Sequence, residues 1–135
     1  MREIEFRGQT INGEWVFGLL AIKDKKYYIS NKAGAPFAFE VRPESVGQYT
    51  GLKDKNGVKI YEGDIVCFRH GGEFAEGGIY YRNYAIEFIN TYVNYGIRFR
   101  NGSIHFPCKE ATILMHECEV IGNIHDNAEL LKGVE

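Results

Sequence analysis

The chain has 135 residues, of which 44% are hydrophobic and 25% are charged, and its formal net charge is −2. This composition is typical of a soluble globular protein, and it lacks the basic surplus that duplex-binding domains usually carry. The longest apolar run, Trp15–Ile22, is much shorter than the roughly 20 residues of a membrane-spanning helix, so no membrane association is expected.

Charge distribution and cysteine content bear on location. Residues 1–39 carry six basic and four acidic groups, a balance of +2, whereas residues 109–135 carry two basic and six acidic groups, a balance of −4. The first residues, MREIEF, have none of the apolar core of a signal peptide. Three cysteines without disulfide spacing fit a reducing interior, so a cytoplasmic protein is expected.

Nine Tyr and nine Phe make the chain rich in aromatic residues. Aromatic and β-branched side chains fit the half-buried face of a pleated sheet, so they favour a mostly β fold. A chain of this length buries roughly two-thirds of its unfolded surface, enough for a core. No stretch has the composition of a linker, and a single domain over residues 1–135 is therefore expected.

In the first part of the chain, apolar and polar residues alternate with a period of two, and turn-forming residues lie between the alternating runs. Asn12-Gly13 and Lys23–Lys26 have the composition of tight turns, and Asn31–Pro36 that of a loop. Strands are expected at Glu3–Phe6, Glu14–Leu20, Lys26–Ser30 and Phe37–Val41.

The central stretch Val46–Val66, VGQYTGLKDKNGVKIYEGDIV, is rich in glycine and charge. Asn56-Gly57 tolerates positive φ angles and Asp54 can accept backbone hydrogen bonds, which predicts a turn followed by an alternating strand. Alternatively, Glu62 and Asp64 would form a carboxylate pair for acid–base or metal chemistry. No third ligand stands nearby, and the ending GK[ST] of a phosphate loop is missing. The stretch is therefore interpreted as turns and strands.

The second half begins with an apolar strand and a glycine-rich loop, His70–Gly78, and ends with a helical pattern over Asp126–Gly133, with Asp126 or Asn127 as N-cap. A short helix is expected over Lys109–Glu117, although a strand also fits. Further strands are expected at Asp64–Phe68, Ile79–Ile89, Tyr92–Arg100, Ser103–Phe106 and Glu117–Ile124, with a turn at Asn101-Gly102.

Histidine and cysteine occur close together at His105, Cys108, His116 and Cys118. Zinc needs four converging nitrogen or sulfur ligands, and this spacing matches no established zinc motif. Free cysteine is often a small core residue, as expected for Cys67. No local motif, such as a nucleophile elbow, favours any Cys–His or Ser–His pair as a catalytic arrangement. We therefore expect no bound metal, no cofactor and no enzyme activity.

One strand face combines aromatic and cationic side chains. In Tyr92–Arg100 the alternation sends Val93, Tyr95, Ile97 and Phe99 to one side and polar groups to the other. Such a polar face could bind anions or stacked bases, although a solvated sheet face is favoured over this hypothesis. The candidate anion-binding or nucleic-acid-binding residues are Arg82, Tyr92, Asn94, Arg98 and Arg100.

The strand Ile79–Ile89 is apolar on both faces. An antiparallel strand with one wet face should alternate, so this strand is either covered on both sides or meets another chain. Large exposed apolar patches usually mark interfaces, and tyrosine suits them. A symmetric homo-oligomer is therefore predicted, with Tyr80, Tyr84 and Phe88 in its interface; the alternative is that the Gly71–Gly78 loop or a C-terminal helix with Leu130 and Leu131 covers that face.

The central stretch closely resembles the YopX family of proteins encoded by bacteriophages and prophages. REIEFRG followed by GEWVFGLL resembles the N-terminal segment of that family, and Glu119–Leu131 resembles its tail. Residues Gly71–Thr112 show little resemblance, and His125-Asp126-Asn127-Ala128 replaces the aromatic, acidic, Asn-Pro run of many relatives. The resemblance implies a mainly β fold with an SH3-like barrel component, additional strands and no known enzyme activity.

From these observations we expect a phage-encoded accessory protein that acts without catalysis in the bacterial host cytoplasm. The favoured hypothesis is a protein-interaction module that assembles with itself and also binds a host or phage protein. The alternative is a nucleic-acid-binding module that uses Tyr92, Arg98 and Arg100. The neutral-to-acidic charge balance favours the first hypothesis over the second.

Overall fold

The computed structural model describes residues 4–30, 38–71, 77–90, 95–99, 105–107 and 118–131. These residues form eleven strands and two short 3-10 helices, at Pro43–Ser45 and Ala128–Leu131. The strands are β1 (Phe6–Gln9), β2 (Trp15–Lys23), β3 (Lys26–Ser30), β4 (Phe39–Val41), β5 (Gly47–Lys53), β6 (Lys59–Tyr61), β7 (Asp64–Gly71), β8 (Ile79–Asn90), β9 (Tyr95–Phe99), β10 (His105–Pro107) and β11 (Cys118–Asn123).

The predicted mostly β fold is confirmed. The strands form two antiparallel, barrel-like sheets, and within the described ranges they close no barrel. The helical pattern near the C-terminus gives one 3-10 turn at Ala128–Leu131. The short helix expected over Lys109–Glu117 lies outside the described residues. No helix among the described residues is long and apolar enough to cross a membrane.

The chain divides into two compact units, Met1–Gly51 and Leu52–Glu135. The single-domain interpretation of residues 1–135 stays a prediction. In the first unit the strand order is β4-β3-β2-β1-β5. Its buried apolar side chains are Ile29, Val41 and Tyr49, which are 0%, 3% and 4% exposed.

Gly8 allows Val41 to pack closely against β1. A Cβ atom added at Gly8 would lie 2.7 Å from Val41 Cγ2 and 2.8 Å from Val41 Cβ. These distances are shorter than ordinary van der Waals contact, so the close approach of β1 and Val41 requires a residue without a side chain.

We expect Gly8→Ala to lower the free energy of unfolding by about 1–3 kcal/mol, because the new methyl group overpacks the site. Val41→Ala removes the two clashing methyl groups and leaves the Cβ contact at 2.8 Å, so the double variant should lose less stability than the sum of the two single variants without recovering the loss completely. Chemical denaturation of the four proteins measures this coupling. Strictly additive losses would show that the two residues do not conflict.

A tight turn joins β2 to β3. Lys23 is registered opposite Lys26, and the two residues between them, Asp24 and Lys25, have φ angles of 53° and 66°. Positive φ at both central residues is the pattern of a type I′ hairpin turn, which suits the twist of the flanking strands. The turn predicted at Lys23–Lys26 is confirmed, and β2 runs three residues further toward it than expected.

The second unit contains a sheet with the order β10-β9-β8-β7-β11, so β8 is its central strand. The buried core cluster on this sheet comprises Leu52, Ile60, Val66, Phe68, Ile86 and Cys118, with Tyr84 and Val120 packed against it. The position of β8 explains its apolar sequence, because both of its edges are paired and part of each face is buried.

The two faces of β8 are covered differently. Tyr84 is registered opposite Val66 and lies on the core-cluster face. Ala85, opposite Ile65, lies on the other face, and both are buried. On that second face Asn83 Nδ2 donates a 2.8 Å hydrogen bond to the backbone carbonyl of Leu130. The C-terminal 3-10 helix is thereby attached to β8.

Several strands differ from the sequence prediction. The first strand was placed at Glu3–Phe6, whereas β1 covers Phe6–Gln9. The strand β7 continues to Gly71, so the start of the glycine-rich stretch predicted as a loop is paired with β8 instead. The strand β5 (Gly47–Lys53) was not predicted, and its glycines give it a weak local β propensity. Pairing with β1 overrides this weak local propensity, since Gln48 and Gly47 are registered opposite Phe6 and Arg7.

Candidate functional site

The turn after β5 is organised by Asp54, which is 3% exposed. Its Oδ1 accepts hydrogen bonds from the backbone N–H groups of Asn56 at 2.8 Å and Val58 at 2.9 Å. The Gly57 N–H donates to the Asp54 carbonyl, and Gly57 has a φ angle of 80°. The predicted turn at Asn56-Gly57 is confirmed, with Asp54 as its main acceptor.

Asp54 also connects this turn to β11. Its second oxygen, Oδ2, accepts a 2.9 Å hydrogen bond from the Val120 N–H, 66 residues away in sequence. One residue on, the Lys55 N–H donates to the Cys118 carbonyl at 3.0 Å. Because β11 is the edge strand of its sheet, these bonds satisfy backbone groups that would otherwise be open for pairing with another strand.

Asp64 has a comparable role in the next turn. It is 2% exposed, and its Oδ2 accepts a 2.7 Å hydrogen bond from the Tyr61 N–H. Gly63 has a φ angle of 93°, and its N–H and carbonyl bond to Ile86 and Ile124. A buried carboxylate engaged by backbone N–H groups is a structural group. The turns and strands predicted for the central stretch are confirmed, whereas the expectation that Glu62 and Asp64 form no reactive pair stays a prediction.

Two of the three cysteines, Cys67 and Cys118, lie among the described residues, and neither is in a disulfide. The pKa of the Cys118 thiol is raised from 9.0 to about 12, first by burial and then by the Asp54 carboxylate and Cys67, against an opposing effect of Lys55. Burial, followed by Glu119, also raises the pKa of Cys67, which is half-buried. Neither thiol has the depressed pKa of a nucleophilic cysteine.

We therefore expect Cys118 to resist alkylation by iodoacetamide at pH 8 in the native protein and to react only after unfolding, because the thiolate is the reactive form. Since the folded pKa lies above the unfolded one, the neutral thiol contributes stability below about pH 9, and that contribution is lost as pH rises toward about 12. Peptide mapping by mass spectrometry reads the alkylation. Equal rates in native and unfolded protein would contradict the assignment.

The predicted histidine–cysteine group is only partly within the described residues. Cys108 and His116 lie outside them, His105 is in β10, and Cys118 is in the core cluster. Among the residues that the structure describes, no group of three or more His, Cys, Asp and Glu residues could hold a metal ion. The absence of a bound metal stays a prediction.

Two of the five predicted anion-binding residues, Arg82 and Arg98, lie in described strands, and the structure does not bring them together. Arg98 is registered opposite Glu87 on one side and His105 on the other. Arg82 is registered opposite Phe68, five positions along β8 from Glu87, which is about 17 Å in a regular strand. Arg82 therefore does not lie level with Arg98. Tyr92, Asn94 and Arg100 lie outside the described residues.

Of the three predicted interface residues, Tyr84 has a described side chain. It is half-buried, and its ring meets that of Phe68 edge-on, with centroids 5.8 Å apart and planes at 69°. This contact assigns Tyr84 to the core of its own unit. The side chains of Tyr80 and Phe88 lie outside the described part of β8, and their place in an interface stays a prediction.

The first unit exposes apolar side chains that the sequence analysis assigned to ordinary strands. We call Phe17, Leu19, Ile22 and Phe39 the arm surface. The first three lie on β2, and Phe39 lies on β4, which is separated from β2 by β3. Strand alternation places Leu19 and Ile22 on opposite faces of β2, so both faces are involved. Their exposures are Phe17 44%, Leu19 39%, Ile22 58% and Phe39 44%.

The signal for the arm surface was present in the sequence. The run Trp15–Ile22 is apolar on both faces, as is the strand Ile79–Ile89, for which an external contact was considered. The two strands differ in their surroundings, because β8 is covered near Ala85 and Ile86 whereas β2 stays exposed at Leu19 and Ile22. Strand alternation indicates a two-sided apolar strand but not which element covers it.

Comparisons with known proteins agree with this architecture. A family model described as YopX protein matches residues 5–132. The crystal structure of protein EF1440 from Enterococcus faecalis is similar with a TM-score of 0.59 and 24% sequence identity, covering 98% of this chain and 100% of that one. Among curated proteins there is no match. At this identity the structural likeness concerns the fold alone.

Proposed function

This chain belongs to the YopX family, and from that premise we propose that it is a non-enzymatic protein-interaction module that self-associates. The proposal includes the origin suggested by the family resemblance, namely a phage or prophage accessory protein that acts in the bacterial cytoplasm. A host or phage protein is a further partner in this proposal.

The observation that carries the proposal is the arm surface. Phe17, Leu19, Ile22 and Phe39 are each between 39% and 58% exposed, although β2 is an interior strand of its sheet. Strand alternation places Phe17 and Leu19 on one face of the sheet and Ile22 and Phe39 on the other, so each face presents two exposed apolar side chains. Neighbouring exposed apolar side chains on one face are a usual feature of interaction sites. Burial of such side chains against a partner is the main favourable contribution to association.

The described acidic groups of the central stretch support a role without catalysis. Asp54 and Asp64 are buried and accept backbone hydrogen bonds, which is what folding of the turns requires. The thiols of Cys67 and Cys118 have raised pKa values, caused first by burial, and a raised pKa lowers nucleophilicity near neutral pH. These four groups are therefore engaged in structure.

Co-capture of two differently tagged copies of the chain tests the proposal. We expect one tag to retain the other copy after nuclease treatment, because the apolar arm surface contacts protein. The test variant, Phe17→Ser combined with Leu19→Ser, should weaken co-capture. The control variant, Val58→Ser, changes an exposed apolar position outside the arm surface and should leave co-capture unchanged. Loss of co-capture on nuclease treatment alone would favour the nucleic-acid-binding alternative, and failure of co-capture in all conditions would contradict self-association.

A further inference from the structure

The tip of the β2–β3 hairpin is strongly basic. Lys23, Lys25 and Lys26 are exposed there, with Asp24 as the acidic residue of the turn. Ile22, 58% exposed, lies next to them in β2. We call Ile22, Lys23, Lys25 and Lys26 the basic tip. It combines an apolar side chain with positive charge at the end of the β2–β3 hairpin.

The local structure of the basic tip is unfavourable in two ways. Lys23 and Lys26 are directly opposite each other across the strand pair, where like charges repel. Lys25 has a φ angle of 66°, a region that side chains other than those of Gly, Asn and Asp rarely adopt. A bound carboxylate would relieve the repulsion, and such concentrated positive charge attracts an acidic partner.

The second unit offers a surface with the complementary properties. Residues 118–131 contain three carboxylates, those of Glu119, Asp126 and Glu129, and no Lys or Arg. All three are exposed. Ile121 is 36% exposed, because β11 has a register shift between Val120 and Gly122 that leaves Ile121 without a partner in β7. We call residues 118–131 the acidic segment.

The acidic segment is held in a defined conformation. Asn123 Oδ1 accepts hydrogen bonds from the backbone N–H groups of His125 and Asp126, each at 2.9 Å. Asn127 Oδ1 lies over Gly122, where an added Cβ would meet it at 2.6 Å. The Lys55 N–H donates to the Cys118 carbonyl, so an exposed positive charge lies near the start of the acidic segment. The carboxylates of Asp126 and Glu129 lie further along the segment.

We propose that the basic tip of one copy of the chain binds the acidic segment of a second copy, in a head-to-tail contact between lysine and carboxylate groups flanking Ile22 and Ile121. This inference rests on the proposed self-association and adds a charged contact to it, in which the arm surface takes part through Ile22. The carrying observation is charge complementarity: the basic tip has three exposed lysines, the acidic segment has three exposed carboxylates, and each also contains an exposed isoleucine.

A head-to-tail contact has a consequence for the size of the assembly. Because the two surfaces are different, each copy keeps one of them available after the first contact forms. Such heterologous contacts generate closed rings or open chains, in contrast to the two-fold dimer formed by a self-complementary patch. The assembly should also weaken at high salt, since the Debye length falls from about 10 Å at 0.1 M to about 3 Å at 1 M.

Charge reversal in both surfaces tests the inference. The tip variant is Lys23→Glu with Lys26→Glu, and the segment variant is Glu119→Lys with Glu129→Lys. The matched controls are Lys53→Glu and Glu44→Lys, which reverse exposed charges elsewhere in the chain. Sedimentation velocity measures assembly of each variant alone and of the two mixed in equal amounts, and circular dichroism checks that every variant folds.

We expect each charge-reversal variant alone to associate at least about tenfold more weakly than the wild type, and the mixture to recover association because opposite charges meet again. Raising NaCl from about 0.05 M to about 0.5 M should weaken wild-type association to a similar extent. If both variants associated as strongly as the wild type, and if high salt did not weaken wild-type association, this inference would be wrong while the proposed self-association would stand. A wild-type protein that stays monomeric would overturn both proposals.

Discussion

Replacing Asp54 by alanine should lower the free energy of unfolding by roughly 3 kcal/mol or more, the largest effect expected for an exchange of one polar side chain in the described residues. The carboxylate is buried and accepts hydrogen bonds from Asn56, Val58 and Val120. Hydrogen bonds to charged groups contribute about 1.5–3 kcal/mol each, and a buried donor left unsatisfied adds a further cost. Urea denaturation followed by circular dichroism measures the loss.

Asp54→Asn is the matched variant that separates the two roles of this side chain. Its carbonyl oxygen can still accept from Asn56 and Val58, whereas its amide group cannot accept from Val120. We expect it to lie between the wild type and Asp54→Ala. If Asp54→Asn were as stable as the wild type, the bond to β11 would contribute nothing, and Asp54 would serve the turn alone.

Ile86→Ala should cost about 3 kcal/mol, within the range of roughly 2–5 kcal/mol for truncation of a fully buried aliphatic residue. Ile86 is 0% exposed and belongs to the core cluster with Val66 and Phe68 on the sheet of the second unit. The same truncation at the exposed Ile22, which is 58% exposed, should change stability by less than about 0.5 kcal/mol.

Thermal and chemical denaturation of Ile86→Ala and Ile22→Ala compare the two positions directly. Similar losses at both positions would contradict the placement of Ile86 in the core and of Ile22 at the surface. A stable Ile22→Ala variant can also be used to test the arm surface, because weaker association then reflects a lost contact between copies and not unfolding of the chain.

Local sequence patterns predicted elements whose determinants are close in the chain. The strand at Lys26–Ser30 has the predicted bounds, and the turns at Lys23–Lys26 and Asn56-Gly57 occur where expected. Alternation and turn residues act over a few positions, so one sequence suffices to detect them. The family resemblance is confirmed by the match over residues 5–132.

Features that depend on distant contacts were not predictable. The strand β5 forms because β1 pairs with it, although its glycines weaken it locally. The bond from Asp54 to Val120 spans 66 residues, and no local pattern indicates it. The covering of β8 and the exposure of Leu19 and Ile22 likewise depend on which elements pack against each strand.

The candidate site shows the same limit. Composition identified the basic N-terminal part and the acidic C-terminal part, with balances of +2 and −4. Sequence alone could not show that Lys23 and Lys26 are directly opposite each other, or that Ile121 is displaced by a register shift in β11. Cross-strand register creates these surfaces, because it decides which side chains become neighbours.

Light scattering coupled to size exclusion, over a series of protein concentrations, tests self-association most directly. One chain has a mass of 15.4 kDa. We expect a mass above that value at roughly tens of micromolar protein, and we expect the measured mass to decrease on dilution because association follows mass action. A mass of 15.4 kDa at every concentration, with the protein folded throughout, would contradict it.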